Sequence, residues 1–264
     1  MAETLYPGFE RPAIAGWRVL HFPELDSTNE EARRRAQQGD EGDLALYADR
    51  QHAGRGRRGR AWVSGEGNLF LSCLLRPAVG PARAAELSFA TALAAHDALS
   101  AATGLGPRFQ LKWPNDLLLD GAKVAGILLE SATGRDGGLE FLVIGIGVNL
   151  AAFPAETPYP ATSVAATLGR AVAPLDLIAA FLPRLSHWIT VWEREGFAGI
   201  RDAWAARAAG LGERITVRLA HETLEGVFSG LRLDGALDLR LDSGAVRAVT
   251  AGDVFLPGTE GAGR

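Results

Sequence analysis

Apolar and polar positions alternate through "WRVLHF", residues 17–22, the period of a strand with one buried face. The pattern then turns helical in "ELDSTNEEARRRAQQG". There Thr28 with Glu31, or Ser27 with Glu30, has capping-box spacing, and Gly39 is a stop signal. "DLALYADR" predicts a second strand, an Arg/Gly loop follows, and "NLFLSCLLR" predicts a third. From Pro81 to Gly104 a largely apolar run predicts one long helix buried against a sheet.

Short strands follow in "RFQLKW", "LLL", "AKVAGILLESA" and "LEFLVIGIGVNL", separated by turn-forming "PND", "DG" and "GRDGG", so a meander is expected. The Pro-rich "FPAETPYPATS" is a connecting loop. Residues 174–209 carry two helical patterns around Trp188, Trp192 and Trp204, tryptophans that this spacing assigns to the core. From Gly212 the helical patterns stop, and four or five short alternating strands predict a small antiparallel barrel. The chain is therefore read as α+β, with a larger domain over residues 1–210 and a small β domain over 211–264.

Composition narrows the function. A net charge of −4 argues against a general polyanion binder, which makes the basic loop a local feature. The single cysteine, Cys73, excludes an internal disulfide framework, and no signal-peptide pattern opens the chain, so a cytoplasmic home is expected. No apolar run reaches the roughly 18 residues needed to cross a bilayer, and no membrane association is expected. The five histidines lack paired ligand spacing, so no protein metal site is expected.

The rarest residues are the most informative. Only Lys112 and Lys123 are lysines among 27 basic residues, and the only asparagines are Asn29, Asn68, Asn115 and Asn149. In a chain that uses arginine freely, a retained lysine is a candidate for a task suited to a compact point charge rather than a planar fork.

The loop "QHAGRGRRGRAW" interleaves Arg55, Arg57, Arg58 and Arg60 with Gly54, Gly56 and Gly59. "GRGRRG" matches a dinucleotide fingerprint, but a strand rather than a helix follows, so that reading fails. A P-loop fails too, because neither lysine follows a glycine. Three readings stay open: a phosphate-binding loop, a nucleic-acid patch and a solvated loop. No acidic residue lies between Arg50 and Glu66, so the four arginines are expected to be unpaired and mobile until an anion orders them. Lys112 and Lys123, eleven residues apart across a Pro-Asn-Asp turn, are expected on one face. Gly145 and Gly147 within a strand mark close approach by another group.

These residues carry a resemblance. "DSTN", "QHAGRGRRGRAW", "KWPNDLLL", "KVAGILLE" and "GIGVNL", in this order and spacing, resemble bacterial biotin protein ligases over about residues 18–256, and "GVFSGLRLDGALDLRL" resembles that family's SH3-like barrel. The resemblance implies a mixed catalytic sheet with helices and an ATP-dependent reaction, with Mg2+ accompanying ATP. Biotin and ATP form biotinyl-5'-adenylate, and the biotin passes to a lysine of a biotin carboxyl carrier protein.

By matching motif, Ser27, Thr28, Asn29 and Gln51 would line the biotin ureido end, and Gly54, Arg55, Gly56 and Arg57 would close over biotin and phosphate. Lys123 would sit between the biotin carboxylate and the α-phosphate, with Asn115 and Asp116 at the reacting centre and Asn149 with Trp62 against the adenosine. Arg60, Lys112, Gly126, Gly145 and Gly147 complete the candidate site, with Lys123, Arg57 and Asp116 as the catalytic set; Asn68 receives no assignment beyond holding a turn.

Bifunctional members carry an N-terminal DNA-binding domain, and only about 16 residues precede the first predicted strand here, so DNA is not an expected partner. A lipoate or octanoate ligase of the same fold, or a non-catalytic biotin sensor, are the competing readings. The strand near residues 139–147 is expected to be an exposed edge available to a second copy.

Overall fold

The computed structural model describes residues 6–257 apart from Ser64, Asp136 and Pro158. The chain opens with β1 (Phe9–Ile14), β2 (Trp17–Leu25), α1 (Thr28–Gln37), β3 (Leu44–Gln51) and β4 (Leu69–Leu75). It continues through α2 (Pro81–Ala84), α3 (Leu87–Thr103), β5 (Phe109–Lys112), β6 (Asp116–Leu119), β7 (Ala122–Thr133) and β8 (Leu139–Val148). The helices α4 (Val164–Leu168), α5 (Pro174–Glu195) and α6 (Phe197–Ala205) follow. Then come β9 (Arg214–Arg218), β10 (Thr223–Leu231), β11 (Leu237–Arg240), β12 (Val246–Val249) and β13 (Asp253–Phe255).

The first eight strands form one sheet in the order β1-β2-β3-β4-β8-β7-β6-β5. Only β2 and β3 pair in parallel, because α1 carries the chain back between them; the predicted meander β5 to β8 is antiparallel throughout. The sheet sorts its side chains with a period of two. Ala45 and Tyr47 of β3, Leu71 and Cys73 of β4, and Ile144 and Ile146 of β8 join the large core under α3 and α5. Their neighbours Leu44, Leu46, Leu74 and Val143 face the other way, into a smaller core under α1. Ser72, Gly145 and Gly147 belong to this α1 side by the same alternation, and this puts the polar site there.

Two of the three tryptophans behave as expected: Trp192 and Trp204 are 1% exposed, and Trp192 Nε1 donates to Glu86 at 2.6 Å, whereas Trp188 is half-buried at the margin of the core with its Nε1 donating to Asp97 at 3.0 Å. Other expectations are corrected. The run from Pro81 forms two helices, because the chain breaks between Ala84 and Leu87. Ser27 is the N-cap of α1 without a side-chain cap bond, so no capping box forms. Strand β1, which the sequence reading passed over, pairs antiparallel with β2.

The segment 139–147 is no edge: β8 lies between β4 and β7, and both neighbours satisfy its backbone. The opposite edge, β5, is covered by backbone bonds between Leu111 and residues 207 and 209. At the C-terminus five strands form an antiparallel sheet in the order β12-β11-β10-β9-β13. Its end strands β12 and β13 do not pair, so the sheet stays open rather than closing into the expected barrel. This second sheet reaches the first through Trp113 Nε1, which donates to the Gly235 carbonyl at 3.0 Å.

Candidate active site

The parallel β2-α1-β3 unit brings the N-terminus of α1 beside the end of β3. Gln51 Oε1 accepts from the Thr28 backbone N–H at 2.8 Å and from the Thr28 hydroxyl at 3.1 Å. Asn29 Nδ2 donates to Glu130 at 2.7 Å, while Asn29 Oδ1 lies 2.6 Å from the Ser72 hydroxyl. The glycine at 145 makes this fit: a Cβ there would stand 2.2 Å from Asn29 Oδ1.

Behind the helix, Glu31 is fully buried and held by Arg34 at 3.0 Å and Arg35 at 2.8 Å, while Arg34 also forks onto Asp26. Burial pushes the Asp26 carboxyl up, but the Arg34 fork and the Ser27 N–H outweigh it and hold it below the usual carboxylate range. These buried charges are satisfied in full, which fixes the register of Ser27, Thr28 and Asn29.

The Arg/Gly loop closes on itself. Trp62 N–H donates to the Gly54 carbonyl at 2.9 Å and Gly56 N–H to Arg60 at 2.7 Å, and the turn uses left-handed backbone at Arg58 (φ 56°) and Gly59 (φ 72°). The expectation of unpaired arginines is wrong. Arg55 bridges Glu30 at 2.8 Å and Glu130 at 3.2 Å, Arg57 donates to Asn115 Oδ1 at 3.0 Å, and Arg58 and Arg60 both donate to Asp253. The acids that the loop lacks are supplied by α1, β7 and β13. Burial lowers the Arg57 guanidinium, an effect Asp116 partly offsets.

A cavity of about 450 Å3 opens between these elements. Every sequence-predicted site residue lines it except Gly54, which acts through its carbonyl beneath the loop. Trp62 lies across the glycine floor, where a Cβ at Gly147 would meet its ring at 2.4 Å and one at Gly126 at 3.0 Å. The close approach that these glycines signalled is made by Trp62 and Asn29. The Trp62 indole N–H is buried and has no hydrogen-bond partner among the described residues.

Lys123 Nζ sits 2.6 Å from Asp116 Oδ1, a charge contact rather than an aligned hydrogen bond, and 5.6 Å from the Trp62 ring centre. It is held there because β7 is bulged against β6 and its first residues are clamped by Pro160 and Thr162. Lys112 is 8% exposed, with its ammonium 4.3 Å from the Tyr159 ring centre. Burial pushes Lys112 below the ordinary lysine range; Asp116 opposes this and Lys123 adds to it. Asn149 ties Thr162 to the same wall at 3.1 Å. Two ammonium groups and the guanidiniums of Arg57 and Arg60 thus face one cavity, a suitable place for two anions to meet.

A family model described as the biotin/lipoate A/B protein ligase family matches residues 22–149, and the biotin protein ligase C terminal domain matches residues 210–256. Over 238 residues the chain is 45% identical to a biotin–[acetyl-CoA-carboxylase] ligase of Paracoccus denitrificans, covering 88% of this chain and 98% of the relative. The chain belongs to the biotin protein ligase family. A second ligase of that name, from Mycobacterium tuberculosis, is 35% identical over 249 residues, 92% of this chain and 90% of the relative. Among solved structures, the biotin protein ligase of Aquifex aeolicus in complex with biotin and ATP superimposes with a TM-score of 0.76 at 28% identity, covering 90% of this chain and 97% of that one.

Within this family member, sequence reasoning missed Ser72, Glu130, Tyr159 and Asp253. Ser72, the lone polar residue of a strand otherwise apolar in "LFLSCLL", was a usable signal; the others depend on distant elements meeting. Asn68 proves to be a turn clamp, its Oδ1 accepting from Ala151 and Ala152 and its Nδ2 donating to the Ala152 carbonyl. Among the described residues no three histidine, cysteine, aspartate or glutamate side chains gather into a metal site, and no helix is long and apolar enough to cross a membrane.

Proposed function

We propose that this protein is an ATP-dependent biotin protein ligase that makes biotinyl-5'-adenylate and passes biotin to a lysine of a biotin carboxyl carrier protein. The observation that carries this reading is the Lys123 ammonium, held 2.6 Å from Asp116 in a cavity shared with Arg57, Arg60 and Lys112. A biotin carboxylate oxygen attacks the α-phosphorus of ATP, and the bond to pyrophosphate breaks. Two anions must approach each other, and an ammonium between them offsets the repulsion where charge accumulates.

Ser27, Thr28, Asn29 and Gln51 offer the polar wall for the ureido ring. Gly54 to Arg57 cover the junction, Arg57 being locked to Asn115, and exclude water from the mixed anhydride. The unpartnered Trp62 N–H and Asn149 are assigned to the adenosine side. Mg2+ enters on the ATP phosphates, its hard-oxygen coordination met largely by phosphate and water. In the second step the acceptor amine attacks the acyl carbon and AMP leaves, with Asp116 placed to orient the amine or take its proton. The buried Cys73, whose thiol burial pushes upward, takes no part, and a reducing cytoplasm is the compartment we assign.

The test is pyrophosphate release from Mg-ATP with biotin, lipoate or octanoate, with and without a carrier domain. Release that requires biotin, and turns over only with the carrier, is expected. Release driven by lipoate or octanoate would overturn the substrate assignment, and biotin binding without release would leave a sensor.

A further inference from the structure

The carboxylate of Asp253 holds two arginines of the loop at once. Its Oδ2 accepts from Arg58 Nη1 at 3.0 Å and its Oδ1 from Arg60 Nη2 at 2.7 Å. Asp253 comes from β13 of the C-terminal sheet, almost 200 residues along the chain from its partners (|i−j| of 195 and 193), and lines the cavity mouth. Burial pushes its carboxyl up, and the arginines outweigh that and hold it below the usual range. Arg60 shares the cavity wall with Tyr159, whose ring carries Lys112. Among the described residues lining the cavity, five cations face three carboxylates, so Asp253 supplies a large share of the neutralising charge.

A guanidinium fork binds carboxylate and phosphate through the same donors in the same geometry. A polyphosphate entering this cavity meets Arg60 with its Nη2 donor already committed to Asp253, and like charges cannot share the site without cost. We propose that Asp253 is a positioning residue that acts as a built-in counterion, displaced from Arg60 and Arg58 by incoming polyphosphate, so that the C-terminal sheet sets the affinity of the first sheet for ATP and pyrophosphate. The inference rests on the nucleotide reading above and goes beyond it by giving a sign: the native carboxylate weakens polyphosphate binding. A carboxylate that merely preorganises the arginines would strengthen it.

The experiment compares the full chain with Asp253→Asn, which keeps size and removes charge. It reads the KM for ATP, competition by inorganic tripolyphosphate, the biotin Kd by calorimetry and Tm. The expected result is a fivefold to tenfold fall in both the ATP KM and the tripolyphosphate inhibition constant, with biotin affinity unchanged and the gap to wild type shrinking at high salt. Asp253→Glu, which restores the charge, is expected to return both constants toward wild type. A rise, or no change, in the tripolyphosphate constant overturns the counterion role. If tripolyphosphate competes with neither protein, it is the nucleotide reading that has failed. Should Asp253→Asn fold poorly, Asp253→Ser also removes the charge and carries the same expectation.

Discussion

Lys123 Nζ and Asp116 Oδ1 stand 2.6 Å apart, on neighbouring antiparallel strands and in the wall of one cavity. The pair fixes an ammonium at the place where the proposed carboxylate and α-phosphate meet. Lys123→Ala is therefore expected to slow adenylate formation by roughly 100-fold to 1,000-fold, the range for losing one stabilising group at a site of developing charge. Biotin binding should weaken far less. Single-turnover pyrophosphate release beside biotin calorimetry checks both, and normal adenylation in the variant would remove Lys123 from its role.

Two glycines of β8 separate the halves of the site. A methyl at Gly145 meets Asn29 Oδ1 at 2.2 Å, whereas one at Gly147 meets the Trp62 ring at 2.4 Å. Gly145→Ala is expected to disrupt the Ser72–Asn29–Glu130 contacts and mainly raise the biotin Kd. Gly147→Ala should displace Trp62 and mainly raise the ATP KM. Each should cost about 1–3 kcal/mol of stability by overpacking. Denaturant melts and separate ligand titrations distinguish the two, and identical profiles would count against the assignment of sides.

Lys112 carries a stability cost with a defined pH sign. Burial lowers its folded-state value beneath that of the unfolded chain, so the unfolded state binds more protons between the two values. The penalty is fully present below the folded-state value and is relieved as pH rises through it toward the ordinary lysine range. Lys112→Met is expected to raise Tm at pH 7, with the advantage shrinking as pH approaches about 10. The same change should raise the ATP KM, since it removes a cation from the cavity. Melting curves across pH test the first half, and a Tm gain that does not vary with pH would contradict the burial argument.

Arg34 is 7% exposed and holds both Asp26 and the fully buried Glu31. Arg34→Met leaves Glu31 with Arg35 as its one remaining cation partner and is expected to destabilise the protein by about 3 kcal/mol, the lower end for breaking a buried ion pair. Because α1 then loses its anchor, the biotin Kd should rise as well. Urea denaturation gives the first quantity, and a loss below about 1 kcal/mol would show the network to be dispensable.

The local order of strands and helices, the core role of Trp192 and Trp204 and the gathering of both lysines were legible in the sequence. These follow from the periodicity of buried faces and from residue scarcity, properties that a short window contains. Motif spacing extended that to the list of cavity residues, of which Gly54 alone stands off the wall. What the tertiary structure decided is which charges meet. The arginine loop has no acid of its own, yet Glu30, Glu130 and Asp253 arrive at separations of 25, 75 and nearly 200 residues to hold it. Likewise, the glycines of β8 announced a close approach, but only the alternation of the folded sheet determined that Asn29 and Trp62 make it. Coulomb partners and steric fit depend on distance in space, and a linear pattern records distance along the chain.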